Sequence, residues 1–286
     1  MTTGTFWTRL SRGVRWAWTA ERHRSTLPTD LAESAMAIDS ADRYHAKQGR
    51  TTARVRFDGP IGSEQPPISV YLKRHDGLPW SARLAALVAP GRGRTPASTE
   101  WRHLERARSL GVPVPEVVAA GEQVGPWGKL RGFLMVAELV GADEVNRVIP
   151  RLAGTMDPGA FARFKRELVV EMAEIAARLH ADRSFHKDLY LCHYFLDPDR
   201  PPGARLTLID LHRLGRHRWT APRWRWKDLG QLLFSTFGVA GIDDRDRSRF
   251  WKHYRARMGL ARPTLEARAI RAKAERYLAH NRPATA

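Results

Sequence analysis

Lys73, Glu100, Asp188 and Asp210 are charged residues set on or at the ends of otherwise apolar stretches. An ion there is costly unless it is paired, hydrogen-bonded or bound to a metal. The stretch SFHKDLYLCHYFLD, residues 184–197, shows the conflict most sharply, with His186, Lys187 and Asp188 inside an aromatic and aliphatic run. Phosphoryl transfer from ATP uses such a set in this order: a strand Lys on the phosphates, a helix Glu that positions it, a loop Asp that takes the hydroxyl proton, and a later Asp that holds Mg²⁺. The phosphates carry several negative charges that a Lys and a metal must neutralise. The acceptor alcohol in turn needs a nearby base and an in-line approach. His186-Lys187-Asp188-Leu189 follows the His-x-Asp-Leu start of a kinase catalytic loop, making Asp188 with its neighbours His186 and Lys187 the candidate catalytic residues. The position where such loops carry Asn is His193, and Asp210 is followed by Leu-His instead of Phe-Gly.

The elements that must position these groups are readable in outline. TARVRF and ISVYLKR flank the turn-rich DGPIGSEQPP, and Ile68, Val70 and Leu72 alternate, so a hairpin is expected with Lys73 on the face opposite Leu72. A helix capped near Ser98 or Thr99 and ending before Gly111-Val112-Pro113 carries Glu100, Leu104 and Ala107 on one face. Two strand-like runs, EVVAAGE and GFLMVAELV, follow. After them comes a long helix with Phe161, Phe164, Leu168, Met172, Ile175 and Leu179 as its buried stripe. RLTLID, WRWKDLGQLLFSTF and two further helical patterns to about Leu278 complete the chain. At the N-terminus the spacing of Trp7, Leu10, Val14 and Ala17 predicts a basic amphipathic helix, of the kind that lies in a membrane interface or docks on its own domain. The chain is thus α+β, with a lead-in over 1–40, a sheet-rich lobe over 41–140 and a helical lobe over 141–286.

Composition bounds the rest. The 286 residues, 43% hydrophobic with ten Trp, can bury a sizeable core. A formal charge of +18, from 48 basic and 30 acidic residues, implies an anionic partner, although many exposed Arg are also compatible with an ordinary solvated surface. No zinc-finger, basic-zipper or RNA-binding aromatic signature is present, so nucleic acid is not expected. Cys192 is the single cysteine, which excludes an intrachain disulfide, suits a reducing cytoplasm and reads as a small core residue. No run approaches the roughly 18 apolar residues of a membrane span, and Arg9, Arg12 and Arg15 interrupt any signal-like segment. Oligomeric state is not encoded in any motif.

HKDLYLCHYFL with the later LIDLHR resembles the catalytic segments of the lipopolysaccharide kinases, the core heptose and Kdo kinases, a divergent branch of the protein-kinase-like fold. YLKRH and EWRHLERARSLGVPVPE extend the resemblance over roughly residues 44–235. It implies a two-lobed protein-kinase-like fold, ATP and Mg²⁺ as cofactors, and a sugar hydroxyl of the anionic lipopolysaccharide inner core as acceptor. It also implies work at the cytoplasmic face of the inner membrane, where an anionic surface would attract the basic chain. By the same resemblance Lys73 holds the ATP phosphates, Glu100 pairs with it, Asp188 is the base and Asp210 the main Mg²⁺ ligand. His193 is a second-site ligand or a phosphate contact. AKQGRTTARV resembles the phosphate-covering turn, with Gly49 for close backbone approach and Lys47, Arg50 and Thr51 as donors, but it lacks a full G-x-G-x-x-G. Glu138 and Leu139 fall where kinases present backbone groups to adenine, and Asp228 falls where a helical Asp braces the catalytic loop. A kinase of another acceptor, protein or small sugar, and a membrane-associated pseudokinase scaffold are the competing readings; retention of Lys73, Asp188 and Asp210 argues against the scaffold.

Overall fold

The computed structural model describes residues 7, 11–38, 43–47, 50–58, 66–76, 78, 80–88, 95–125 and 129–281. The chain divides into two compact units, Met1–Glu105 with Pro115–Glu138, and Arg106–Val114 with Leu139–Ala286.

The first unit is built on six antiparallel strands, β1 (Val14–Thr19), β2 (Arg43–Lys47), β3 (Arg50–Phe57), β4 (Ile68–His75), β5 (Val117–Val124) and β6 (Leu130–Ala137), in the order β1-β5-β6-β4-β3-β2. Helices α1 (Leu31–Ala37), α2 (Trp80–Val88) and the start of α3 (Pro96–Ser109) accompany it. The predicted hairpin is present, with Phe57 opposite Ile68 and Thr52 opposite Lys73. Alternation along β4 sends Val70 and Leu72 to one face, where they pack with Leu31 and Ala35 of α1 and with Phe133 and Met135 of β6. Lys73 therefore points to the other face, toward α3.

Two expectations change here. The segment read as an N-terminal helix is strand β1 from Val14, paired along its length with β5. Gly13, at φ 74, breaks any helix before it, and the period-two pair Trp16 and Trp18 meets Trp101 of α3 at ring separations of 5.6 and 5.2 Å. Helix α3 also starts earlier than Ser98: Thr95 Oγ1 accepts the Ser98 N–H at 3.1 Å, with Pro96 at the first helical position. The buried Glu122 carboxylate of β5 decides this, accepting from the Thr95 N–H at 3.0 Å and the Ser98 hydroxyl at 2.8 Å. A Cβ at Gly132 of β6 would collide with Thr95, so the glycine lets the cap lie on the sheet.

The second unit is helical: α4 (Val145–Thr155), α5 (Pro158–Ala181), α6 (Ala221–Ser235), α7 (Asp244–Met258) and α8 (Pro263–His280). Short strands β7 (Asp143–Glu144), β9 (Tyr194–Leu196) and β10 (Leu206–Leu208) form one small sheet, and β8 (Ser184–Phe185) pairs with β11 (Gly215–Arg216). Asp157 caps α5 by accepting the Ala160 N–H at 2.9 Å, and Phe164, Leu168, Met172, Ile175 and Leu179 form its buried stripe. Asp243 and Asp246 make a reciprocal capping box at the start of α7, and Lys165 of α5 reaches Asp246 at 2.6 Å.

Candidate functional site

In the first unit Lys73 Nζ lies 2.5 Å from Glu100 Oε1, and the Glu100 side chain is almost fully buried. Cross-strand pairing puts Arg50, opposite His75, on the Lys73 face of the sheet, and Thr51, opposite Arg74, on the other. Gly49 lies outside the described residues, as does the side chain of Lys47. Glu138 follows β6; its N–H donates to the Ser69 carbonyl at 2.9 Å and its carboxylate takes both ends of Arg54 at 2.9 and 2.8 Å. Leu139 is the first residue of the second unit on leaving the sheet, and its carbonyl accepts the Ala142 N–H.

In the second unit the loop after β8 is fixed from beneath. Asp228 of α6, fully buried, accepts the His186 and Lys187 N–H groups, each at 2.8 Å. It also lies 3.4 Å from His180 Nε2, whose other ring nitrogen meets the Tyr254 hydroxyl at 2.7 Å. Lys187 takes a left-handed backbone, φ 70, which turns the chain sharply just before Asp188. Asp188 then projects from the turn. Its oxygens accept from Arg213 Nη1 at 2.7 and 3.0 Å, and Lys227 Nζ stands 3.9 Å away while donating to the Lys187 carbonyl. Burial pushes the Lys227 ammonium below its ordinary pKa, against the opposing pull of Asp188.

His186 is buried, and its Nε2 lies 3.0 Å from the Ile209 carbonyl, which can only accept. Burial lowers its pKa, which favours the neutral ring with its proton on Nε2, and Nδ1 is buried without a hydrogen-bond partner among the described residues. The side chain thus ties the loop at Asp188 to the residue before Asp210 and, being buried, does not face solvent. The His193 ring stacks on it at 5.4 Å and, by the same logic, donates from Nδ1 to the Asp188 carbonyl at 2.6 Å. Its Nε2 then lies 3.9 Å from Asp210 Oδ2. Asp210, left-handed at φ 60, also accepts from His212 Nδ1 at 2.5 Å.

The loop accordingly gathers His186, Lys187, Asp188, His193 and Asp210 in one place, with Asp228 as the brace. Asp210 Oδ2 and His193 Nε2 face each other across 3.9 Å. Among the described residues no three His, Cys, Asp or Glu side chains are arranged to hold a metal ion by themselves. The Asp210 carboxylate suits Mg²⁺, which binds through one or two carboxylates plus substrate phosphates and keeps several waters, whereas an imidazole nitrogen is a poorer ligand for so hard an ion. Arg213, His212 and Lys227 were not singled out by sequence. Arg213 and His212 lie in LIDLHR and Lys227 immediately precedes Asp228, so proximity to the motifs is the one signal that could have found them.

Residues 83–254 match the lipopolysaccharide kinase (Kdo/WaaP) family. The lipopolysaccharide core heptose(I) kinase WaaP of Pseudomonas aeruginosa is 30% identical over 214 residues, covering 74% of this chain and 75% of that protein. An Escherichia coli protein of the same name is 30% identical over 220 residues, 76% of this chain and 81% of its own. Among solved structures, WaaP in complex with acyl carrier protein superposes with a TM-score of 0.67 at 28% identity, over 91% of this chain and 98% of that one.

Proposed function

Because this chain belongs to the lipopolysaccharide kinase (Kdo/WaaP) family, we propose that it transfers the γ-phosphoryl group of ATP to a heptose hydroxyl of the lipopolysaccharide core. The observation that carries the reading is the Asp188 carboxylate, held on a loop braced by Asp228 and set beside Asp210 and His193. Asp188 accepts the proton of the acceptor hydroxyl as the oxygen attacks phosphorus. Arg213 and Lys227 orient that carboxylate until the hydroxyl arrives. Lys73 binds the phosphates, Glu100 holds its ammonium in place, and Arg50 adds positive charge on the same face of the sheet. Glu138 and Leu139 offer backbone groups to the adenine edge. Asp210 would hold Mg²⁺, with His193 Nε2 toward the same cation or a phosphate oxygen; the ion supplies neutralisation of phosphate charge.

The acceptor is a membrane glycolipid and ATP is cytoplasmic, so the reaction belongs at the cytoplasmic face of the inner membrane. No helix among the described residues is long and apolar enough to cross a bilayer; a net charge of +18 favours association with an anionic membrane surface. The test is transfer of labelled phosphate from ATP to core lipopolysaccharide isolated from cells lacking this gene. Transfer to that acceptor, lost in Asp188→Asn, is expected; labelling of proteins or free sugars in its place would reject the acceptor, and turnover surviving in the variant would reject the mechanism.

A second observation favours a partner as well. The helical unit holds a cavity of about 700 Å³ walled by Ile149, Leu168, Met172, Leu229, Leu232 and Ile270 among others. An acyl chain suits such walls, and the solved relative is bound to acyl carrier protein. Co-migration of this chain with acylated but not unacylated carrier protein on gel filtration is the expected result.

A further inference from the structure

The segment between Asp210 and Asp228, LHRLGRHRWTAPRWRWK, contains no acidic residue. Most of its cations serve internal purposes. Arg213 binds Asp188. Arg216 donates to the Asp182 carbonyl and faces its carboxylate at 3.9 Å. Arg225, partly buried, pairs with Glu266, and Lys227 donates to the Lys187 carbonyl. Arg218 and Arg223 have no carboxylate at ion-pair distance among the described residues. Between them stands Trp219, 93% exposed. An exposed indole beside two guanidinium groups without an ion-pair partner among the described residues combines an apolar face with positive charge, the composition that binds an anionic ligand with apolar faces.

The surface is tied to the catalytic loop through Trp224. β11 pairs with β8, Gly215 opposite Phe185, so the segment runs alongside the strand that leads into the catalytic loop. Lys187 Nζ lies 5.1 Å from the Trp224 ring centroid, His217 stacks on the same ring at 4.5 Å, and Trp224 Nε1 donates to Thr220 Oγ1 at 3.2 Å. Arg223 lies 5.8 Å from that ring. Trp224 thereby fixes the connection from Trp219 and Arg223 to the residue next to Asp188.

We propose that this segment recognises the acceptor, and that its ligand is an anionic oligosaccharide. Trp219 packs against the C–H face of a sugar ring, and Arg218 and Arg223 bind carboxylate or phosphate groups on neighbouring sugars. The proposal rests on the kinase reading above and names its acceptor subsite. An oligosaccharide is favoured over a bilayer because Trp224 ties the surface to Lys187, the neighbour of the base, which must meet the molecule that carries the hydroxyl. Trp219 is also the one large exposed apolar side chain of the segment, where a membrane-inserting surface would present several.

The probe is core oligosaccharide released from the lipopolysaccharide of a strain lacking this gene, titrated calorimetrically into the full chain. Parallel arms use the same oligosaccharide stripped of phosphate or reduced at its carboxylates. We expect Trp219→Ala and the Arg218→Ala/Arg223→Ala pair each to weaken binding about tenfold or more, with unaltered melting temperature. Arg255→Ala, which removes an exposed charge from α7, is expected to bind as wild type does. The arm whose loss abolishes the Arg dependence identifies the acidic group. Equal binding by wild type and variants, equal loss in Arg255→Ala, or no binding by wild type overturns the proposal. So does Trp219-dependent binding to phosphatidylglycerol vesicles without binding to the oligosaccharide. Phosphate transfer is read separately: a wild type that binds the oligosaccharide without phosphorylating it sinks the kinase assignment and leaves the subsite standing.

Discussion

Lys73 meets Glu100 through one side-chain contact between a strand and a helix, whereas Asp188 stands on a loop whose backbone donates two N–H groups into a single buried carboxylate. In the first case the sheet register sets Lys73 whether or not Glu100 is present, because β4 is paired on both sides, with β3 and β6. In the second the loop has no ladder of its own, and its shape is borrowed from α6. The lesson is that a functional side chain can be placed by secondary structure or by a remote polar brace, and that the two fail differently: the first loses chemistry with little loss of fold, the second loses fold and chemistry together.

The sharpest probe of that contrast is Asp188→Asn. It removes the base but leaves the brace, so phosphate transfer should fall roughly 10²–10⁴-fold with the melting temperature nearly unchanged, since the partner Arg213 is half exposed. Asp228→Ala is the opposite experiment. It strands the His186 and Lys187 N–H groups in a buried site, at about 1–3 kcal/mol each, so thermal unfolding and transfer should both be impaired. A melting temperature equal to wild type would break the comparison. Glu100→Gln should reduce kcat/KM for ATP about tenfold, through weaker placement of Lys73, with the fold intact. Steady-state kinetics at varied ATP checks this, and a large stability loss would show the ion pair to be structural.

The smallest expected effect is a pH dependence in the braced unit. Burial lowers the pKa of His186 below the ordinary value near 6.5, so the native state favours the neutral ring. The unfolded chain binds the proton more readily, and stability present above that value is lost as pH falls toward the folded pKa, by at most about 1.4 kcal/mol per pH unit. Melting curves between neutral and mildly acidic pH should show this slope, reduced in His186→Gln. An unchanged slope in the variant would assign the acid sensitivity to other histidines.

How much of this was legible in the sequence follows the same division. Alternation in ISVYLKR gave the face of Lys73, and the stripe of α5 and the His-Lys-Asp-Leu run gave the loop and its long lead-in helix. Groups placed by remote pairing were not readable. The N-terminal segment carries both the helical spacing of Trp7, Leu10, Val14 and Ala17 and a strand-like Trp16/Trp18 alternation, and only pairing with β5 decides between them. Helix α4 has Pro150 in its interior, which local rules read as a break. Arg213 reaches Asp188 through space, and nothing in the residue types of LIDLHR forecasts that the Arg would turn back onto the loop.

The brace also sets an order of events during synthesis. Asp228 lies 42 and 41 positions beyond the His186 and Lys187 amides it receives, and the left-handed backbone at Lys187 is unfavourable without that reward. A nascent chain that has emerged only through the catalytic loop therefore contains the base but not its geometry, and becomes competent when α6 docks. On the proposed role of Asp188, activity is then confined to chains that extend through α6, so products truncated before it would not consume ATP.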